Sequence, residues 1–422
     1  MAESQPTAPL AAFRYRPFAL FWFARSAATF ATQIQSTALG WQVYDAARAA
    51  GQNVEDAAFL LGLIGLAQFL PLLALSLIGG NVADRHDRRR IVLACVAAEA
   101  VVALLLALTP GLAYDTQVVA IIAAAIAIGA INAFLPAASS SLVPALVPAA
   151  VLPQAIAVNS LSWQTGSIAG PALGGLLYGL GAPVAYGAAA ALLGLSAALV
   201  ARIEAPHVRR EGQARTVAMI MEGLRYVRSN PIVLGAISLD LAVVFLAGAT
   251  ALLPVYARDI LHAGPEALGL LRAAPAIGAA AVAALLAVRP ITRHVGVWMF
   301  GAVFVFGLAT IGFGLSTVIW LSVAMLAIAG AADAISVYVR VSLIQLATPD
   351  AMRGRVSAVS FIFISASNEL GEFESGVAAW LVGPVAAVVL GGVGALAVSG
   401  LWMRLFPPLA RADRFPEPAA TG

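Results

Sequence analysis

Apolar runs of about 20 residues recur along the whole of this chain, each long enough to cross the hydrocarbon core of a bilayer as a helix. Of the 422 residues, 61% are hydrophobic and only 11% are charged, and the mean hydropathy is +0.92. A soluble fold could not cover so much apolar surface with so few charges. Nor do the runs alternate between apolar and polar residues as the strands of a membrane barrel would. The pattern predicts an all-α membrane protein.

Twelve spans fit the pattern, at 17–43, 57–82, 91–110, 116–138, 155–180, 183–203, 231–256, 266–288, 295–315, 318–346, 356–382 and 385–404. The arginines test this topology, because the chain contains no lysine. With both termini inside, 19 arginines fall in cytoplasmic segments, counting Arg202 and Arg404 at the cytoplasmic ends of their spans, two in periplasmic loops (Arg48 and Arg258) and three deeper within spans (Arg25, Arg272 and Arg340). That asymmetry follows the positive-inside rule, which an odd number of spans would violate at Arg85–Arg90 or in the 204–229 connection.

Two six-helix halves result, 1–203 and 231–422, joined by a cytoplasmic linker at 204–230. Val217, Ile220, Met221, Leu224 and Val227 fall on one helical face of the linker, predicting an amphipathic helix at the membrane surface. An offset of 201 residues aligns Pro148 with Pro349, Ala150 with Ala351 and Ala157-Val158 with Ala358-Val359, as a duplicated architecture would. Cys95 is the single cysteine, so no intramolecular disulfide can form. The N-terminal stretch does not read as a cleavable signal peptide, and targeting is expected to reside in the first span.

Two motifs carry mechanical information. The first is GGNVADRHDRRR, Gly79 to Arg90, in the turn after span 2. Gly80 allows a close helix approach, Asp84 can meet the positive end of a neighbouring helix, and Arg85, Arg88 and Arg89 can pair with carboxylates or lipid phosphate. A degenerate counterpart, RPITRHVG, occupies Arg289 to Gly296 in the corresponding loop of the second half. The second motif is Gly166, Gly170, Pro171, Gly174 and Gly175 in span 5, a small-residue face that lets two helices touch and a proline that can bend one of them.

Charges at bilayer depth mark candidate functional groups, since each costs at least about 2.5 kcal/mol to insert. Asp240 lies near the middle of span 7, and Asp333 lies mid-span 10, seven residues before Arg340 and on the same face. In span 11, Glu369 and Glu372 share a face while Glu374 points elsewhere. With Arg25 and Gln33 of span 1, these residues are candidates for proton coupling or substrate contact. The plainer alternative is a structural ion pair, such as Asp333 or Glu369 with Arg340 or Arg25. Gln35, Asn132, Trp163 and Gln164 are plausible cavity-lining groups, Glu99 reads as an isolated polar contact, and Arg340 and Arg272 lie close enough to span ends to snorkel.

The turn motif resembles that between helices 2 and 3 of major facilitator superfamily transporters, with Asp87 standing where that motif has a glycine. The span 5 motif resembles that of the superfamily's antiporters, although Ala125 replaces the arginine many drug antiporters carry in span 4. LGWQVYD, ALLPVYARDILHAGPEALGLLRAAPAIGAA and SNELGEFESG extend the resemblance to the enterobactin-exporter-like and multidrug efflux branch. The resemblance implies the major facilitator fold and export of a small amphipathic molecule, drug or siderophore-like, in exchange for protons. It also implies a gate in which Asp84 meets the start of span 11 between Arg353 and Arg355. Uptake or facilitated movement of a metabolite or lipid is an alternative, and a non-transporting receptor is another. No enzymatic constellation, nucleotide-binding loop, metal cluster or cofactor motif is present. The chain is expected to be monomeric in a bacterial inner membrane, without nucleic-acid partners.

Overall fold

The computed structural model describes residues 11–204 and 217–415, and in them every regular element is a helix. The first stretch holds α1 (Arg16–Ala49), α2 (Val54–Arg85), α3 (Arg88–Ala107), α4 (Tyr114–Leu146), α5 (Leu152–Gly179) and α6 (Ala182–Ala201). The second holds α7 (Val217–Ser229), α8 (Pro231–Leu246), the short α9 (Leu253–Val255), α10 (Pro265–Val288), α11 (Val295–Gly314), α12 (Ile319–Ala347), α13 (Asp350–Val382), α14 (Pro384–Leu405) and the short α15 (Pro407–Ala410).

Among the described residues, nine helical segments are long and apolar enough to cross a membrane. Three other helices, α1, α5 and α13, have lengths of 34, 28 and 33 residues but carry too many polar side chains for that criterion. They are the helices that hold Gln33, Gln35, Trp163, Gln164, Glu369 and Glu372. The chain is thus a multi-spanning all-α membrane protein whose least apolar helices carry many of its candidate functional groups.

Compactness divides the chain into two units, Met1–Gln42 with Ala67–Ala214, and Val43–Leu66 with Arg215–Gly422. The division cuts through α1 and α2 instead of falling at the linker. In the first unit α3 packs on α4 and α6. In the second, α12 packs on α10 and α11, α11 on α14, and α13 on α7, α8 and α14.

Local chemistry explains several boundaries. Asn230 caps α8, its side-chain oxygen accepting from the amides of Ile232 (3.1 Å) and Val233 (3.3 Å), and Pro231 takes the first helical position. Past Leu246 the helix breaks at Gly248, resumes around Pro254 and closes in a π turn, Tyr256–Ile260, which carries Arg258 and Asp259. The expected amphipathic helix is α7. Its buried Gly223 and Val227 dock on α13, and Met221 and Leu224 remain exposed.

Candidate functional site

The arginine-rich turn is built from both sides. Asp84 lies in the last turn of α2, with its side chain outside the described residues. Asp87 is the N-cap of α3, with extended backbone, and its carboxylate accepts from the amides of Arg89 (3.0 Å) and Arg90 (3.4 Å). A glycine at this position could cap only through its backbone, so the departure from the family pattern supplies a stronger helix start. Arg89 donates to the carbonyls of Val200 (3.1 Å) and Ala201, closing the C-terminus of α6, and Arg88 donates to the Ser141 carbonyl (3.3 Å) of α4. Two of the turn's arginines therefore fasten three helices of the first unit together. Asp87→Ala is expected to lower stability by about 0.5–2 kcal/mol, read as a lower thermal unfolding midpoint in detergent, while Asp87→Asn retains the cap.

Span 11 starts earlier than the sequence suggests. α13 begins at Asp350, so Arg353 and Arg355 lie inside its first two turns and do not flank its N-terminus. Arg353 pairs with Asp350 at 2.6 Å and donates to the Gln345 carbonyl at 3.0 Å, and Arg355 pairs with Glu222 of α7 at 2.5 Å. Gly223 lies so close to α13 that a Cβ there would stand 2.8 Å from the Arg355 carbonyl oxygen. Arg355 is thus a fastener between α7 and α13.

The span 5 glycines are all buried, and they form the seam between α5 and α1. A Cβ at Gly166 would stand 2.5 Å from Thr29 Cγ2, one at Gly170 would stand 2.5 Å from Gln33 Cβ, and one at Gly174 would stand 3.0 Å from Ile34 Cα. Gln33 is therefore held by its stem against α5. Pro171 is also buried in this helix. Gly79 plays the corresponding part in α2, where a Cβ would stand 2.2 Å from the Ala133 carbonyl oxygen of α4.

Two constellations emerge among the intramembrane charges. In the first, Asp240 of α8 is ion-paired with Arg340 of α12, and the two side chains are only 10% and 7% exposed. Arg340 does not snorkel: it is turned inward by its partner. Asp333, seven residues earlier in the same helix, is exposed. The pair lies at the wall of a cavity of about 220 Å³ between α8, α12 and α13. Ile237, Leu241, Ile344, Phe363 and Ile364 supply apolar walls, and Gln345, Ser357 and Ser360 supply polar contacts. The buried Ser360 hydroxyl has no hydrogen-bond partner, a group poised to accept one.

In the second constellation, Glu369 and Glu372 sit where α13 crosses α2. A Cβ at Gly65 would stand 3.0 Å from Glu372 Cβ and 3.2 Å from the Glu369 carbonyl oxygen, and one at Gly62 would stand 2.9 Å from Gly376 Cα. Arg272 of α10 lies within electrostatic reach of Glu372 and is partly buried there. Elsewhere, Glu99 is 3% exposed and Gln35 is 2% exposed; the Glu99 Oε2 and both Gln35 amide atoms lack hydrogen-bond partners, as does the Arg25 Nε. Among the described residues no group of three or more His, Cys, Asp or Glu side chains could hold a metal ion.

Sequence reasoning missed the pairing of Asp240 with Arg340 and the Gly62, Gly65 and Gly376 crossing. The i, i+3 spacing of Gly62 and Gly65 was a usable signal for a close helix contact. The choice of partner for Arg340 had no local signal.

Comparison with known proteins places this architecture. The enterobactin exporter EntS of Citrobacter koseri is 28% identical over 362 residues, which is 85% of each chain. That of Escherichia coli O1:K1 / APEC is 27% identical over 356 residues, 84% of each chain. Among solved structures, a D-xylose–proton symporter superposes with a TM-score of 0.70 at 12% identity, covering 94% of this chain and 99% of the other. The human organic anion transporter MFSD10 (TETRAN) gives 0.64 at 16% identity, covering 92% and 99%. At such identities the structures speak for the fold alone. A family model described as transmembrane secretion effector matches residues 7–418, nearly the full length. The chain belongs to this transmembrane secretion effector family, within the major facilitator superfamily of secondary transporters.

Proposed function

We propose that this protein is a twelve-span exporter of the inner membrane, with both termini cytoplasmic, that moves a small amphipathic molecule outward in exchange for protons. The buried Asp240–Arg340 pair at the wall of a mostly apolar cavity carries this reading. Apolar walls hold the body of an amphipathic solute, and the polar groups orient its headgroup. A solute group that competes for the Arg340 guanidinium separates it from Asp240, and a buried charge stripped of its partner must be re-paired or neutralised. A proton arriving at Asp240 neutralises it, which links occupancy to protonation. The EntS relatives, named as enterobactin exporters, support the outward direction and a drug or siderophore-like cargo. The twelve-span count rests on the nine apolar segments together with the three long polar helices.

Glu369 and Glu372 serve as further proton carriers in this scheme, since they sit on a helix crossing that a change of charge would loosen. Export into acidified inside-out vesicles is expected to stop when the pH gradient is collapsed. Glu369→Gln is expected to reduce gradient-driven export by about 100-fold, on the scale typical of a lost proton-transfer group, while solute binding and folding persist. Export that continues at the parental rate in either case removes proton coupling, or Glu369, from the scheme.

A further inference from the structure

Of the three arginines deep within spans, two have carboxylates. Arg340 is paired with Asp240, and Arg272 has Glu372 within electrostatic reach. Arg25 of α1 differs. Among the described residues no carboxylate pairs with it or acts on it, and its buried Nε has no hydrogen-bond acceptor. It stands about 14 Å along the helix axis from Arg16, the first residue of α1. A guanidinium held at that depth without a counter-ion in the protein calls for one from a ligand.

The seam between α1 and α5 fixes what lies beside this charge. The Trp22 indole donates to the Val158 carbonyl at 2.9 Å, and the Ser26 and Ser162 hydroxyls are 2.7 Å apart. With Gly166 against Thr29 and Gly170 against Gln33, all four pairs keep an offset of 136 or 137 residues, so the two helices run parallel and in register. Arg25 precedes the seam residue Ser26, whereas Asn159 and Trp163 follow the seam residues Val158 and Ser162. One residue back on α1 and one residue forward on α5 turn by about 100° in opposite senses. For two parallel helices that face each other, those turns lead to the same side of the seam. The register sets Arg25 level with Leu161 and Ser162, between Asn159 and Trp163 and within one helical turn of both.

The chemistry of this side suits an organic anion. Asn159 Oδ1 is buried without a partner, and the Trp163 ring is 55% exposed. The neighbouring hydroxyls are committed elsewhere: Ser26 donates to the Trp22 carbonyl at 2.8 Å and Thr29 to the Arg25 carbonyl at 2.9 Å. On α1 the polar flank continues from Arg25 through Thr29 and Thr32 to Ser36, which is exposed, so packing does not seal it. A guanidinium presents paired N–H donors that match two oxygens of a carboxylate, sulfonate or phosphate group. An amide that rotates about its last bond offers an N–H to the same anion, and an open indole face takes a flat apolar body. We propose that Arg25, Asn159 and Trp163 form an anion-binding subsite for the transported solute. Arg25 holds the acidic group, Asn159 bonds beside it and Trp163 covers the apolar body. That the anion is cargo rests on the export reading; that it binds does not.

The test is equilibrium dialysis of the full-length protein in detergent against three probes of similar shape, 2-naphthylacetate, the neutral 2-naphthylacetamide and the cationic 2-naphthylethylammonium. The acid is expected to bind about tenfold tighter than the amide, and Arg25→Gln to remove that advantage while amide binding stays unchanged. Asn159→Asp sets a carboxylate beside Arg25 and is expected to abolish the advantage with the arginine still in place. Arg25→Gln combined with Asn159→Asp is expected to favour the cation. A parent that does not prefer the acid, or a preference for the acid that survives any of these substitutions, overturns the subsite. If Arg25→Gln does not fold, Asn159→Asp decides alone. Displacement of 2-naphthylacetate by phosphatidylglycerol but not by phosphatidylcholine would assign Arg25 to lipid and also overturn it. No gradient enters the measurement, so a failed export reading leaves the binding result standing, and equal binding of the probes leaves the export reading standing.

Discussion

Asp240→Ala is expected to destabilise the protein by about 3–5 kcal/mol, because it leaves the Arg340 guanidinium buried without its counter-ion. Arg340→Ala should cost a similar amount from the other side. Replacing both at once, Asp240→Leu with Arg340→Met, removes the two desolvation penalties together and is expected to fold with parental stability or better. Thermal unfolding in detergent, followed by loss of monodisperse protein, reads all three. If Asp240→Ala unfolds with the parent, the pair is not the buried contact described above. The double variant also separates stability from function: it should be well folded and inactive in export, since the cavity then offers a solute no charged group. Full activity in that variant would make the pair purely structural.

The second large effect concerns the seam between α1 and α5. Gly166→Ala and Gly170→Ala each force a methyl group to within 2.5 Å of a carbon atom on α1, and each is expected to cost about 1–3 kcal/mol by overpacking. The two differ in whether a neighbour can give way. At Gly166 the obstructing atom is Thr29 Cγ2, so Thr29→Ser removes it while keeping the hydroxyl that donates to the Arg25 carbonyl. At Gly170 the obstructing atom is the Cβ of Gln33, which Gln33→Ala retains. Rescue of Gly166→Ala by Thr29→Ser, and none of Gly170→Ala by Gln33→Ala, is the expected pattern in expression level and unfolding midpoint. Equal behaviour of the two pairs would mean that the helices adjust as rigid bodies and the seam is not set by these contacts.

Features that depend on local composition were legible in the sequence. Apolar runs located the long helices, the spacing from Val217 to Val227 identified α7, and the span 5 glycines announced a close seam. Long-range pairing was not legible. Asp240 and Arg340 are 100 residues apart, and nothing near either names the other. The expected pairing face for Asp333 and Arg340 followed from helical periodicity alone, which specifies a side of a helix and not the neighbour it meets. Against a glycine-containing pattern Asp87 is only a departure, whereas its chemistry as an N-cap follows from Asp87 and the helix after it. The contacts at the end of α1 needed the fold, since Asp45 and Arg48 meet a π turn more than 200 residues later.

The three long helices that fall short of membrane hydropathy have a consequence for biogenesis. A translocon releases a segment into lipid according to its apolar character, and α13, with Glu369, Glu372 and Glu374, is poorly suited to leave on its own. It emerges after α2 and α8 have been made, and the glycine face of α2 at Gly62 and Gly65 offers those carboxylate-bearing turns a protein surface in place of lipid. α1 is made before α5, and its polar side chains must await that helix, whose small-residue face covers Thr29 and Gln33. Insertion of this chain is therefore expected to be ordered by its glycines, with each polar helix retained near the translocon until its small-residue partner is present.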